Sequence, residues 1–371
     1  MKPKILIDSI ALLTPLTGIG RYTYEIAKEL AKNETIEYNY YYGFIAKELG
    51  ETKKKDSIKK LKKIFTHFTL LKKIARSIIN ISASLQQTHY DLYWQPNFIP
   101  NSGIKAKKIV STVHDFSFIL HKDFHPKERI EYFERYFFTN VVKSDAIITG
   151  SHFSKKEILE RLPSFKEADV HVIYHGIDHR LFRVYEAINL PFELPEKFLL
   201  SVGSIEPRKN LLGLLHAYER LPQNLKAEYK LVLVGFKGWQ NKEIMEIMEK
   251  NSKNIIYLGF ISDEELAKVY NLATAFVFPS FYEGFGLPII EAFACGTPVV
   301  SSDRSSLPEV GGDAVLYCNP DDTQDIAQKI QTLLEDTHLQ EMLRKKGLQR
   351  AKLFSWQKSA KEHEKIFLSL L

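Results

Sequence analysis

Two carboxylates, Glu283 and Glu291, stand eight residues apart around Gly284-Phe285-Gly286-Leu287-Pro288, between the apolar run Ala275–Phe278 and a helix-like segment. A glycine-containing turn that leads a strand into a helix exposes backbone N–H groups and the positive end of the helix dipole. Phe285, Gly286 and Leu287 are therefore expected to donate to a pyrophosphate through their backbones. Glu291 falls about one turn further on, where a carboxylate accepts two hydrogen bonds from vicinal hydroxyls. The pattern suits an anionic, sugar-bearing ligand. A plain strand–turn–helix unit with solvated Glu side chains is the alternative.

Arg208 and Lys209 follow Pro207, just after the apolar run Phe198–Val202. Two adjacent cations at the carboxyl end of a strand neutralise charge developing on a departing nucleotide diphosphate; a solvated basic turn is the alternative. His114 and Asp115 close the run Ile109–Val113, where a structural histidine bonded to Asp115 is also possible. His121 and His125 do not make zinc spacing with His114, and no metal is assigned. Gly18-Ile19-Gly20 follows the first strand, but position 23 is Thr, so the dinucleotide fingerprint is incomplete and an NAD-dependent oxidoreductase is disfavoured. The chain contains no Asp-x-Asp, which fits clamping of a diphosphate by Arg208, Lys209 and the 285–287 turn.

The run from Pro279 to Val300 resembles the signature of retaining glycosyltransferases of the two-domain GT-B architecture, and within them family 4, whose motif is Glu, seven residues, Glu. Ser201–Asn210 is similar to that family's phosphate-clamping loop, and Leu16–Tyr22 to its N-terminal glycine-rich loop. The three blocks span nearly the whole chain in the family's order. The resemblance implies that Glu283 binds donor hexose hydroxyls and Glu291 the ribose. It implies that His114 lies beside the donor hexose and reacting centre, and that Gly18 and Gly20 approach the diphosphate from across a cleft. Gly235 follows the strand Leu231–Val234, and the resemblance implies that Phe260 and Ile261, after the strand Ile255–Leu258, edge the nucleobase through backbone groups. Ser204 stands where many relatives carry Arg, so Arg208 is expected to supply that cation, and His175 stands where relatives often show Asn. No carboxylate nucleophile emerges, so family analogy implies front-face substitution. The implied donor is a nucleotide sugar bound as substrate, without cofactor. The look of Ser204–Asn210 points to GDP-mannose, with a glycan or lipid-linked acceptor in cell-surface polysaccharide synthesis. A UDP-sugar transferase and a non-catalytic sugar-nucleotide-binding subunit remain alternatives.

These residues need two sheets to position them. The 371 residues, 44% apolar and 26% charged, exceed one ordinary core and fit two α/β doubly wound domains. Short apolar runs alternate with helical periodicity throughout, which implies parallel sheets with crossovers. The expected division is 1–183 and 184–354, with a final helix of about 355–371 crossing back by resemblance. No run of eighteen apolar residues occurs, and Met1–Asp8 lacks a signal-peptide profile. With Cys295 and Cys318 alone, a cytoplasmic protein is expected.

The net charge of +6 is uneven. Residues 51–76 hold nine Lys and one Arg against two acids, a local +8 that leaves −2 for the rest. In Ser57–Ile81, apolar residues three or four apart share the segment with seven cations, the profile of a helix lying on an anionic membrane surface. A helix packed on the first domain is the alternative; nothing matches a nucleic-acid-binding motif.

Overall fold

The computed structural model describes residues 2–13, 18–50, 89–238 and 242–371. The expected membrane-surface helix at 57–81 lies outside the described residues. The chain builds two open sheets. The first comprises β1 (Lys4–Asp8), β2 (Glu37–Tyr41), β3 (Ile45–Ala46), β4 (Tyr90–Gln95), β5 (Ala106–Thr112), β6 (Ala146–Thr149) and β7 (Val170–Val172), in the order β3-β2-β1-β4-β5-β6-β7. The second comprises β8 (Phe198–Val202), β9 (Lys230–Val234), β10 (Ile255–Gly259), β11 (Ala275–Phe278), β12 (Val299–Ser302) and β13 (Val315–Cys318), in the order β10-β9-β8-β11-β12-β13. Both orders reverse beside the first strand of their sheet, the switch-point topology of doubly wound folds.

Helices cover both faces, so the central strands read as nearly unbroken apolar runs such as Phe276-Val277-Phe278 and Leu231-Val232-Leu233. The strand pairings are parallel except at β3. β2 ends at Tyr41, and the chain reverses through Gly43 so that β3 pairs antiparallel with β2. Ile177 and Phe182, which precede β8, are already buried in the core around the second sheet.

The C-terminal helix Trp356–Leu370 packs its Trp356, Ala360 and Phe367 into the core of the first sheet, with Ile5, Tyr22 and Trp94. Its entry needs a bare backbone at Gly176: a Cβ there would lie 2.1 Å from the Trp356 nitrogen. A buried chain of hydrogen bonds then locks the helix in place. Trp94 Nε1 donates to Thr112 Oγ1 at 3.0 Å, Tyr22 Oη meets Thr112 Oγ1 at 3.0 Å and His363 Nε2 at 2.6 Å, and His363 Nδ1 meets the Ser359 carbonyl at 2.7 Å. A carbonyl only accepts, so Nδ1 carries the proton, Nε2 accepts from Tyr22, and Thr112 donates to Tyr22. Burial holds the His363 imidazole down to about 4, which keeps it neutral in this role.

Candidate active site

The switch point of the second sheet lies between β8 and β11, where ligands of such sheets collect at the carboxyl ends. The 3-10 turn Pro207–Lys209 follows β8, and the turn bearing Glu283 follows β11. The two segments therefore converge. Lys209 Nζ donates to Glu283 Oε1 at 2.6 Å, and Arg208 Nη1 donates to Glu283 Oε2 at 2.6 Å. Arg208 also donates to the Tyr282 carbonyl at 2.9 Å and to Glu206 Oε1 at 3.0 Å. Burial alone would raise the Glu283 carboxyl, but Arg208 and Lys209 outweigh it and hold the group down to about 2. The Lys209 stem runs past Gly203 and sets its ammonium 4.9 Å from the Phe278 ring centroid. Ser204 lines the same small recess as Gly203, Lys209 and Phe278.

The sequence-based expectation gave Glu283 to sugar hydroxyls and the cations to phosphate. The structure joins them in one ion cluster. Each carboxylate oxygen has two lone pairs and spends one on a cation, so hydroxyls can still be accepted beside the clamp. Arg208 is tied to three acceptors and mainly shapes the turn, whereas Lys209 presents an ammonium held by one carboxylate oxygen.

Gly286 precedes the helix Leu287–Ala294, and Glu291 is buried on that helix. Its Oε2 accepts from Tyr270 at 3.1 Å, and its Oε1 lies 3.9 Å from Arg21 Nη1. Burial pushes the Glu291 carboxyl up against the pull of Arg21. Phe285 is buried against Tyr174, His175 and Phe354.

Four connections close the first domain over this site. Arg21 reaches Asp263 at the start of the helix Asp263–Leu272 as well as Glu291. Ser151, which caps the helix His152–Arg161, accepts from Ser154 N–H at 3.1 Å and donates to the Gly284 carbonyl at 2.8 Å. Glu309 accepts from the His152 and Phe153 N–H groups at 2.8 and 3.1 Å, a carboxylate on a helix N-terminus. Tyr282 accepts from the Phe116 N–H at 3.0 Å and donates to Glu157, whose carboxyl burial pushes up.

His114 sits beneath this seam. A Cβ on Gly284 would lie 2.1 Å from the His114 carbonyl oxygen, so only glycine allows the approach. The ring packs against Tyr22, Phe98 and His175, and its Nε2 donates to the Pro96 carbonyl at 2.8 Å. Burial lowers its basicity. Asp115 does not bond it; that carboxylate instead accepts from the Ser117 N–H and hydroxyl at 2.9 and 2.7 Å.

Gly18 and Gly20 correct an expectation. They form the first turn of the helix Gly18–Leu30 and not a loop. Gly18 still faces the cleft: Leu287 Cδ1 lies 3.8 Å from where its Cβ would be. Gly235 follows β9 and donates its N–H to the Gly259 carbonyl at 2.9 Å. Phe260 and Ile261 follow β10, two strands from β8, so they stand apart from the ion cluster. Arg21, Glu157, Tyr282, Asp263 and Glu309 were not picked out from sequence. Tyr282 lies inside the signature run, but no spacing there signals its partner. Among the described residues, no three His, Cys, Asp or Glu side chains group to hold a metal ion.

The models of two families match the chain, Glycosyltransferase Family 4 over residues 16–181 and Glycosyl transferases group 1 over residues 187–350. The O-antigen chain mannosyltransferase B of Escherichia coli is 35% identical over 378 residues, covering 95% of this chain and 96% of the relative. This chain belongs to the group 1 glycosyltransferases. Its two sheets match solved GT-B structures over their length. Sucrose-phosphate synthase of Thermosynechococcus elongatus superposes with a TM-score of 0.71 at 21% identity, over 100% of this chain and 99% of that one. Anabaena HepE, solved in complex with UDP and glucose, gives 0.67 at 17% identity, over 99% and 100%. The glycosyltransferase thus has the expected fold, and no helix among its described residues is long and apolar enough to cross a membrane.

Proposed function

We propose that this glycosyltransferase moves mannose from GDP-mannose, with retention of configuration, onto a glycan or lipid-linked acceptor of a cell-surface polysaccharide. The observation that carries the chemistry is the Lys209–Glu283–Arg208 cluster at the β8/β11 switch point. A departing nucleoside diphosphate gains negative charge at its bridging oxygen, and Lys209 meets that charge already oriented by Glu283. The clamp supplies this neutralisation through side chains, so the reaction proceeds without a divalent metal or other cofactor. Glu283 and His114 border the hexose, Glu291 holds the ribose diol, and the backbone of 285–287 faces the phosphates. By family analogy the substitution is front-face, and the leaving phosphate takes the acceptor proton on the face that it departs from.

The mannosyl assignment draws on the E. coli relative named for mannosyl transfer to O-antigen chain, which this chain matches nearly end to end. Donor binding is assigned to 184–354, and acceptor binding to 1–183 with the C-terminal helix. The basic, amphipathic pattern of 57–81, outside the described residues, supports docking on an anionic membrane from the cytoplasmic side. A UDP-sugar donor is the second reading, favoured by the likeness to HepE with UDP and glucose. Radiolabelled transfer from GDP-mannose, UDP-glucose and UDP-N-acetylglucosamine to a mannose-terminated lipid-linked oligosaccharide tests the proposal. Transfer from a UDP-sugar alone would overturn the donor assignment.

A further inference from the structure

Arg21 belongs to the first domain, on the helix Gly18–Leu30, but its guanidinium ends among residues of the second. Its Nη2 donates to Asp263 Oδ1 at the start of the helix Asp263–Leu272, its Cζ lies 5.8 Å from the ring centroid of Phe182, and its Nη1 stands 3.9 Å from Glu291 Oε1. Phe182 is part of the core around the second sheet. Glu25, one turn on in the helix of Arg21, faces the guanidinium as well. Asp263 and Phe182 fix the group from two sides, so its distance from Glu291 is set by the fold.

That distance has a chemical meaning. At 3.9 Å the pair is beyond hydrogen-bond range, so Nη1 neutralises the carboxylate without occupying a lone pair of Oε1. Oε2 is spent on Tyr270, and Oε1 accepts from none of the described residues. Glu291 is buried, and a buried carboxylate without a nearby cation takes up a proton. The charged and titratable groups that face it are Arg21 from the first domain, Asp263 and Tyr270 from the helix Asp263–Leu272, Lys209 from the turn after β8 and Cys295 from its own helix. Burial pushes the Glu291 carboxyl up, Arg21 pulls it down most strongly, Asp263 pushes it up, and Tyr270 and Lys209 pull it down less.

We infer that Arg21 is a positioning residue for donor binding: reaching across from the first domain, it holds Glu291 charged and leaves Oε1 open to a hydroxyl of the donor ribose. This rests on the reading of Glu291 as the ribose carboxylate. A charged acceptor makes a hydrogen bond about twice as strong as a neutral one, so the donor binds best when the first domain has set this guanidinium in place. Asp263 anchors Arg21 yet works against the charge on Glu291. The two partners of one ion pair thus have opposite electrostatic effects on the same carboxylate.

The test is titration calorimetry of GDP-mannose and of UDP-glucose, which share the ribose diol, into the full chain between about pH 5 and pH 9, with thermal melting of every variant as the check on folding. In Arg21→Ala the weakening of binding on acidification should set in about 1–3 pH units higher than in the wild type, the effect of removing a neighbouring opposite charge. In Asp263→Asn, whose amide oxygen still accepts from Arg21, it should set in lower. In a Glu291→Gln background, Arg21→Ala should leave the profile unmoved, and a shift there would assign the effect to another group and overturn the inference. A purely mechanical latch would make Arg21→Ala and Asp263→Asn alike. Shifts in the same direction therefore overturn the inference, as does an unmoved profile in folded Arg21→Ala, and both leave the donor site standing. Failure of the wild type to bind either nucleotide sugar overturns the inference and the donor reading together.

Discussion

Lys209 Nζ donates to Glu283 Oε1 across 2.6 Å, and the carboxylate that orients this cation also holds Arg208. The cations are thus set in place before any diphosphate arrives, which is the condition for electrostatic stabilisation without reorganisation during the reaction. Lys209→Ala and Glu283→Ala should each lower kcat by roughly a hundredfold or more. Glu291→Ala should mainly raise the donor KM. Steady-state kinetics on the three variants decides this, and near-wild-type kcat/KM for Lys209→Ala would remove the clamp from the mechanism.

Because side chains neutralise the leaving diphosphate in the proposed reaction, turnover should persist in EDTA and the product anomer should match that of the donor. Assays with and without chelator, and NMR of the product, check both points. Activity abolished by EDTA and restored only by a divalent ion, or an inverted product, would refute this.

Tyr282→Phe removes the donor to Glu157 and the acceptor of the Phe116 N–H, leaving two buried polar groups without this partner. A loss of about 1–3 kcal/mol in unfolding free energy is expected. Denaturant unfolding of Tyr282→Phe alone and with Glu157→Gln measures it. Additive effects of the two substitutions would show that the contact contributes no coupling.

His363 contributes to the pH dependence, together with His114, His125 and His175, which burial also holds below the usual range. The folded value of His363, about 4, lies below the usual 6.5 because burial disfavours the imidazolium. Protonation therefore favours the unfolded chain, and stability present above pH 6.5 is lost as pH falls towards 4. Between pH 7 and pH 5 this group should account for about 2 kcal/mol of lost stability. His363→Gln, which can accept from Tyr22 and donate to the Ser359 carbonyl, should flatten the profile by that amount in denaturant titrations at the two pH values. An unchanged slope would remove His363 as a contributor.

Membrane docking by 57–81 predicts co-sedimentation with anionic but not neutral vesicles, weakened by salt and by Lys→Glu changes at positions 59, 60, 62 and 63. Equal recovery in the supernatant with both vesicle types at low salt would rule it out.

Much of the fold was legible in the sequence because it is written in short-range patterns. Apolar runs such as Ala275–Phe278 mark strands buried on both faces, and the glycine turn before Leu287 marks a helix start. The residues of the clamp were legible for the same reason, since Arg208, Lys209 and Glu283 lie in the short turns that follow recognisable strands. Gly18 and Gly20 misled because glycine marks a loop by its backbone freedom, yet packing of the helix Gly18–Leu30 against the first sheet overrode that preference.

The amino-acid order by itself determined which residues lie at the ends of strands, and hence which chemistry each domain's edge can offer. Tertiary structure decided which of them meet. Arg21 with Asp263, Tyr282 with Glu157 and Tyr22 with His363 are separated by 242, 125 and 341 residues. Each contact joins elements far apart in the chain, so it depends on the strand orders and on how the two sheets face one another. A local period of two or 3.6 residues carries no record of either, because it reports only which face of an element is buried and not what lies against it.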